Sequence, residues 1–223
     1  MEKSSIHPLS RLFAKEGMVC FCPNYRLLQH AAWPAGGKDC LKAADFLEKA
    51  VAVLFPGFAA GPLIIAGMSA GGHLALTTGL SLSPEKVKCI ISIAGPSDLK
   101  KQFGTKYFKM KAKHFFGKAH VTEYDYRHAS PISMLKKTSP PLFCLHSVND
   151  ELVPPVHSYM LVKKARKLGL KVEDFLFNGN DCYHGIWENW TANGFNEKGP
   201  DLSQRKIIEP VRIRLRQILA SLN

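Results

Sequence analysis

Apolar positions in this chain fall into two rhythms. Short runs that are apolar with little interruption occur from Met18 to Pro23 (MVCFCP), Leu63 to Gly67, Val87 to Ala94 and Leu142 to His146. Such runs mark strands covered on both faces, and Val172 to Phe177 reads as a last strand. Between them the period lengthens to that of a helix. From His7 to Glu16, Leu9, Leu12 and Phe13 share one side, and Gly17 stops the helix. From Asp39 to Leu54 the stripe is Ala44, Leu47, Val51 and Leu54, closed by Pro56. Further helices are predicted from Ala70 to Leu80 and from Pro154 to Leu168, the latter ended by Gly169. The last runs from Lys206 to Leu222, with Ile208, Val211, Leu215, Ile218 and Leu222 inward and Pro210 near its first turns. Strand and helix alternate throughout, which predicts an α/β fold: a mostly parallel sheet with helices on both faces. Residues 1–223 read as one domain. Leu99 to Thr138 breaks the rhythm. It is basic, rich in Phe and Tyr, without a clean strand, and interrupts the alternation as an insertion.

The run from Leu63 continues into Gly67-Met68-Ser69-Ala70-Gly71-Gly72-His73 and then a helix former. A serine becomes a nucleophile when its oxygen stands clear of the sheet beside a base and backbone donors. The turn that lifts it is crowded, and Gly67 and Gly71 supply nearly side-chain-free flanks. This is G-x-S-x-G between a strand and a helix, the context the motif requires. Two plainer readings accompany it: a glycine-rich turn that cradles phosphate, and Ser69 as a helix N-cap.

Parallel strands deliver their functional loops at one edge. Past Leu142 to His146 that loop carries Asp150, and past Val172 to Phe177 it carries His184. Ser69, Asp150 and His184 therefore follow three different strands in the order Ser…Asp…His. Asp150 is also placed to cap the helix near Pro154, and Asp98 is the rival acid after the preceding strand. Among the other histidines, His146 reads as packing beneath the site, His73 as structural and His157 as a surface residue.

Composition changes this picture little. The net charge is +12, and between Lys100 and Lys137 ten Lys/Arg face two acids, Glu123 and Asp125. Basic residues interleaved with aromatics suggest nucleic acid, but no recognised binding motif is present and none is assigned. The charge otherwise reads as a solvated face, and the insertion's aromatics as packing on the body, with an acyl or aryl pocket as the alternative. No run of some 18 apolar residues exists, so no membrane span is expected. Met1 to Ser10 lacks the apolar stretch of a signal peptide, so a cytoplasmic protein is expected. Cys20, Cys22, Cys40, Cys89, Cys144 and Cys182 show neither metal-ligand nor redox spacing and read as reduced thiols, with disulfides left open.

Tyr25-Arg26-Leu27, the segment from Gly67 to Ala75, Ala129-Ser130-Pro131, the segment from His146 to Pro154, and His184-Gly185 together carry a resemblance. Over nearly its whole length the chain resembles the α/β-hydrolase carboxylesterases of the acetyl esterase/lipase group, which include hormone-sensitive-lipase-like and feruloyl or acetyl-xylan esterase-like members. The resemblance implies Ser69 as nucleophile, His184 as base and then acid, Asp150 as its orienter, and the Ala70 backbone N–H as an oxyanion donor. It implies a small-molecule ester substrate, no cofactor or metal, and a lid-like character for the insertion from Leu99 to Thr138. One departure stands out. The His-Gly-Gly-Gly turn of those enzymes is absent, and Ala35-Gly36-Gly37-Lys38 lies in the wrong place for it. The chain is accordingly expected to be N-terminally shortened, lacking the first three strands, the third of which would lie between Met18–Pro23 and the elbow strand. Two alternatives follow: a catalytically weak hydrolase-fold fragment or binding module, and an amidase or peptidase on the same three residues. The oligomeric state is not legible.

Overall fold

A computed structural model describes residues 7–57, 61–178, 184, 213–214, 216–218 and 220–221. Its centre is a four-stranded parallel sheet in the order β1-β2-β3-β4, formed by β1 (Leu63–Met68), β2 (Val87–Ile93), β3 (Leu142–Ser147) and β4 (Val172–Phe177). The helices are α1 (His7–Lys15), α2 (Ala35–Leu54), α3 (Ala70–Ser81), α4 (Leu99–Gly104), α5 (Ala112–Phe116), α6 (Glu123–Ala129), α7 (Pro131–Met134) and α8 (Val156–Lys167). A 3₁₀ turn, Pro84–Lys86, leads into β2.

The doubly apolar strands divide their side chains between two layers, as a period of two demands. Cys89, Ile91 and Ile93 of β2 and Phe143 and Leu145 of β3 meet Leu9 and Phe13 of α1 and Ile218. The alternate residues, Ile90, Leu142 and Cys144, meet Ala75 and Leu76 of α3 and Leu161, Val162 and Ala165 of α8. Helices thus cover both faces, as the alternation predicts. Of the expected C-terminal helix, Ile213, Arg214, Arg216–Ile218 and Ala220 are helical, and Ile218 is buried. Arg214 bonds Glu173 at 2.5 Å and Arg216 bonds Glu16 at 2.7 Å, tying this segment to β4 and to the end of α1. Residues 206–212, Leu215 and Leu222 lie outside the described residues, as do Cys182, Trp187 and Trp190.

One expected strand does not form. Residues 18–23 take no part in the sheet, which begins at β1. A strand exists only where its N–H and C=O groups meet a neighbour, and residues 21–25 instead face β1 across a cavity of about 280 Å³. The helix α2 starts at Ala35 rather than Asp39, and within its first turns the Asp39 carboxylate accepts from the Arg26 backbone N–H at 2.9 Å and from the guanidinium at 2.8 and 2.9 Å. Among the described residues, no helix is long and apolar enough to cross a membrane. Cys20, Cys22, Cys40, Cys89 and Cys144 are free thiols.

The insertion folds into α4–α7. Leu99, Phe103, Ala112, Phe116 and Ala129 form its own core, against which Trp33, Phe108, Phe115 and Tyr126 pack. Its aromatics hold the insertion together and to the body, while Tyr107 and Tyr124 stay exposed. Lysines pair locally, Lys100 with Glu123 at 2.6 Å and Lys118 with Asp125 at 2.5 Å.

Candidate active site

The elbow between β1 and α3 is built from absence of side chains. A Cβ on Gly67 would run into the Gly71 carbonyl, and one on Gly72 would lie 2.8 Å from the Gly95 Cα. Close contact between the strand end and α3 therefore requires glycine at both places. At the apex Ser69 has φ 54° and ψ −122°, a strained conformation for a residue with a side chain. It is held by the Ser69 N–H donating to the Ile93 carbonyl at 2.8 Å and by the His73 N–H donating back to the Ser69 carbonyl at 3.1 Å. Ser69 makes no side-chain cap to α3, so the N-cap reading fails.

Strand register aligns the carboxyl ends. Met68 pairs with Ile93, Ile93 with Leu145, and Ser147 with Phe177. Chain leaving β1, β3 and β4 therefore arrives on one side of the sheet, and there the three residues meet. The Ser69 hydroxyl lies 2.9 Å from His184 Nε2, and His184 Nδ1 lies 2.7 Å from Asp150 Oδ2. The proton positions follow from the acid. Asp150 is almost fully buried, which pushes its pKa up, but bonds from His146, His184 and the Val153 N–H outweigh that and hold it at about 2. The ionised carboxylate only accepts, so His184 Nδ1 carries the proton and Nε2 accepts from Ser69. The other carboxylate oxygen, Oδ1, accepts from the backbone N–H of Leu152 at 3.0 Å and of Val153 at 2.9 Å.

The competing assignments resolve in the same geometry. Asp150 does not cap α8, whose N-cap position is Pro155. Asp98, the rival acid, caps α4 by accepting from the Lys101 N–H at 3.1 Å. His73 is structural, its Nε2 donating to the Ala129 carbonyl at 2.8 Å and its ring against Trp33. His146 is fully buried beneath Asp150. His157 corrects the sequence reading: it is completely buried, not at the surface, because α8 turns it toward the loop after β2. There its Nδ1 accepts from the N–H groups of Ser97 at 3.3 Å and Asp98 at 3.4 Å.

Ala70 opens α3, so its N–H has no acceptor within the helix. Ser69, Ala70 and Gly71 line one end of the cavity beside β1, whose walls are otherwise mostly apolar, including Leu47, Met68 and Leu74. Three contacts could not be read from sequence and join the insertion to the acid loop: Gln102 Nε2 donates to the Leu152 carbonyl at 2.9 Å, Tyr107 donates to Glu151 at 3.1 Å, and Lys106 pairs with Glu151 at 3.5 Å. Among the described residues, no three His, Cys, Asp or Glu side chains come together as a metal site.

A parallel sheet with a nucleophile elbow and a Ser-His-Asp constellation at its carboxyl edge defines an α/β-hydrolase fold. Residues 2–165 match the BD-FAE family, and the chain belongs to it. It is similar to esterase LipQ of Mycobacterium tuberculosis (strain ATCC 25618 / H37Rv), 27% identical over 184 residues, covering 75% of this chain and 43% of that protein. It is similar also to esterase LipC of the same organism, 28% identical over 176 residues, covering 71% and 42%. The chain thus spans less than half the length of these curated relatives. Among solved structures, carboxylesterase Cest-2923 of Lactobacillus plantarum WCFS1 shares the fold with a TM-score of 0.73 at 20% identity, covering 98% of this chain and 81% of that one.

Proposed function

We propose that this protein is a serine hydrolase that cleaves carboxylic esters of small or medium acyl groups through an acyl-enzyme on Ser69. The observation that carries the reading is the unbroken relay of 2.9 Å from Ser69 to His184 and 2.7 Å from His184 to Asp150. Ser69 Oγ attacks the ester carbonyl carbon as its proton passes to His184 Nε2. Asp150, kept ionised, stabilises the imidazolium and fixes the tautomer. The Ala70 N–H meets the oxyanion of the tetrahedral intermediate. Collapse of that intermediate breaks the bond to the alcohol oxygen, which leaves with the proton from His184. A water then repeats the sequence on the acyl-enzyme and returns free Ser69. The apolar cavity that opens at Ser69 supports a modest acyl group.

A second reading has a specific observation behind it. No His-Gly-Gly-Gly turn is present in the sequence, and Ala70 is the one oxyanion donor assigned. Loss of each further donor costs about 10²–10³ in rate, which would leave a catalytically weak hydrolase or a binding module. The cavity between residues 21–25 and β1 supports the related proposal that a further strand pairs there. In-frame sequence encoding an apolar strand and such a turn upstream of Met1 would bear it out, and its absence would reject it. The functional test is turnover of p-nitrophenyl acetate and butyrate against the matching p-nitroanilides, in the wild type and Ser69→Ala. Ester turnover lost in the variant supports the esterase. Faster anilide turnover would make it an amidase, and no turnover of either by folded protein favours the second reading.

A further inference from the structure

Beneath the acid of the relay lies a second imidazole that the mechanism above does not use. His146, the penultimate residue of β3, has no exposed surface. Its Nε2 lies 2.8 Å from the Val153 carbonyl, its Nδ1 lies 2.8 Å from Ser158 Oγ, and Nε2 also comes within 3.4 Å of Asp150 Oδ2. A carbonyl can only accept, so Nε2 carries a proton, while Nδ1 meets the Ser158 hydroxyl. The Nε2–H is therefore directed between the carbonyl that closes the 150–153 turn and the same carboxylate oxygen that receives His184 Nδ1–H at 2.7 Å. On its other side the carboxylate is held by the Leu152 and Val153 N–H groups. Val153 thus gives its N–H to Asp150 and its carbonyl to His146, so that one residue ties the ring to the acid through the backbone as well as directly.

We propose that His146 is a positioning residue for the Asp150–His184 pair, its Nε2–H holding the 150–153 turn and the Asp150 carboxylate in register with the base. This rests on the serine-hydrolase reading for its kinetic consequence, but the geometry it describes stands apart from turnover. A ring that only filled space would be replaceable by an apolar side chain of similar volume. A ring that acts through its donor is replaced only by another donor at the Nε2 position, which glutamine supplies.

The test compares His146→Met, His146→Gln and Ser158→Ala with the wild-type chain, each checked for folding by near-UV circular dichroism. Two readouts are taken: the rate constant for labelling by a fluorophosphonate, and the low-field proton resonance of His184 Nδ1–H, assigned by its loss in His184→Ala. Misplacing the base is expected to slow labelling about ten- to a hundredfold in His146→Met. His146→Gln recovers most of that loss, and Ser158→Ala, which frees the ring on its far side, falls between. The resonance shifts or broadens in His146→Met and returns toward its original position in His146→Gln. Wild-type labelling and an unmoved resonance in folded His146→Met overturn the proposal, and so do equal losses in the Met and Gln variants. Should His146→Met not fold, Ser158→Ala decides, and wild-type behaviour there overturns it. If the wild-type protein itself does not label, the hydrolase reading falls, and the resonance alone still decides the role of His146.

Discussion

Mild acid should loosen this fold well before its carboxylates are protonated. The perturbation acts on two buried histidines. Burial pushes the His73 pKa down from 6.5 to about 4, only partly opposed by its bond to the Ala129 carbonyl. His157 is likewise lowered from 6.5 to about 4, chiefly by burial, with His146 and Lys101 adding to the effect and Asp98 and Asp150 opposing it. Among the described residues, His157 Nε2 meets no hydrogen-bond partner that would receive a second proton. Both rings are neutral in the fold and take up protons readily once unfolded. Their contribution is therefore complete above pH 6.5 and is lost as the pH falls toward about 4. A lowering from 6.5 to about 4, at about 1.4 kcal/mol for each pH unit, amounts to roughly 3.5 kcal/mol per histidine. Two such terms are a large part of a net stability of about 5–15 kcal/mol. Asp150 acts in a separate window: its stabilisation is lost only as the pH falls from 3.8 toward about 2. The assay is urea unfolding followed by far-UV circular dichroism across that range, with His157→Asn and His73→Asn as controls. The unfolding midpoint should drop steeply below pH 6.5, and less steeply in either variant. A midpoint that stays level from neutrality down to pH 4, or the same slope in wild type and variants, would refute the reasoning.

Other consequences are more local. Asp150→Asn removes the charge and favours the wrong tautomer of His184, so kcat for p-nitrophenyl acetate should fall by about 10⁴ with the fold intact. Gly79→Ala places a Cβ 2.5 Å from Ile90 Cγ1 in the layer between α3 and β2. It should cost about 1–3 kcal/mol in urea unfolding, and adding Ile90→Val should recover part of the loss. Gly67→Ala directs its Cβ into the Gly71 carbonyl. The elbow cannot form with that residue, and soluble protein should neither label nor retain a cooperative transition.

The sheet was legible where burial on both faces leaves a mark in a single run. Residues 87–93 and 142–147 carry buried apolar residues on both parities, Ile91 and Phe143 toward α1, Ile90 and Leu142 toward α3 and α8. The meeting of Ser69, Asp150 and His184 was legible for a related reason: parallel strands deliver their following loops to one edge, so motif and order sufficed without distances. Residues 18–23 misled because apolar composition records a wish for cover, whereas strand formation needs a hydrogen-bonding partner strand, which the run itself does not specify. His157 had a readable signal that its polar nature masked. It lies four residues before Leu161 and eight before Ala165, on the same inward stripe of α8. The clasp of His146 on Asp150 and Val153 was not legible, since it depends on how a loop folds back on the strand that precedes it. The bridges from Gln102 and Tyr107 to the acid loop belong to the same class: contacts made between segments some 50 residues and 44 residues apart.

The most direct test of the central claim is labelling of the purified, folded chain by a fluorophosphonate, set against Ser69→Ala. One label per chain on Ser69, absent from the variant, is the predicted result, since on the proposed reading the 2.9 Å contact to His184 activates that hydroxyl. Folded protein that takes no label, or labels equally in Ser69→Ala, would contradict the account.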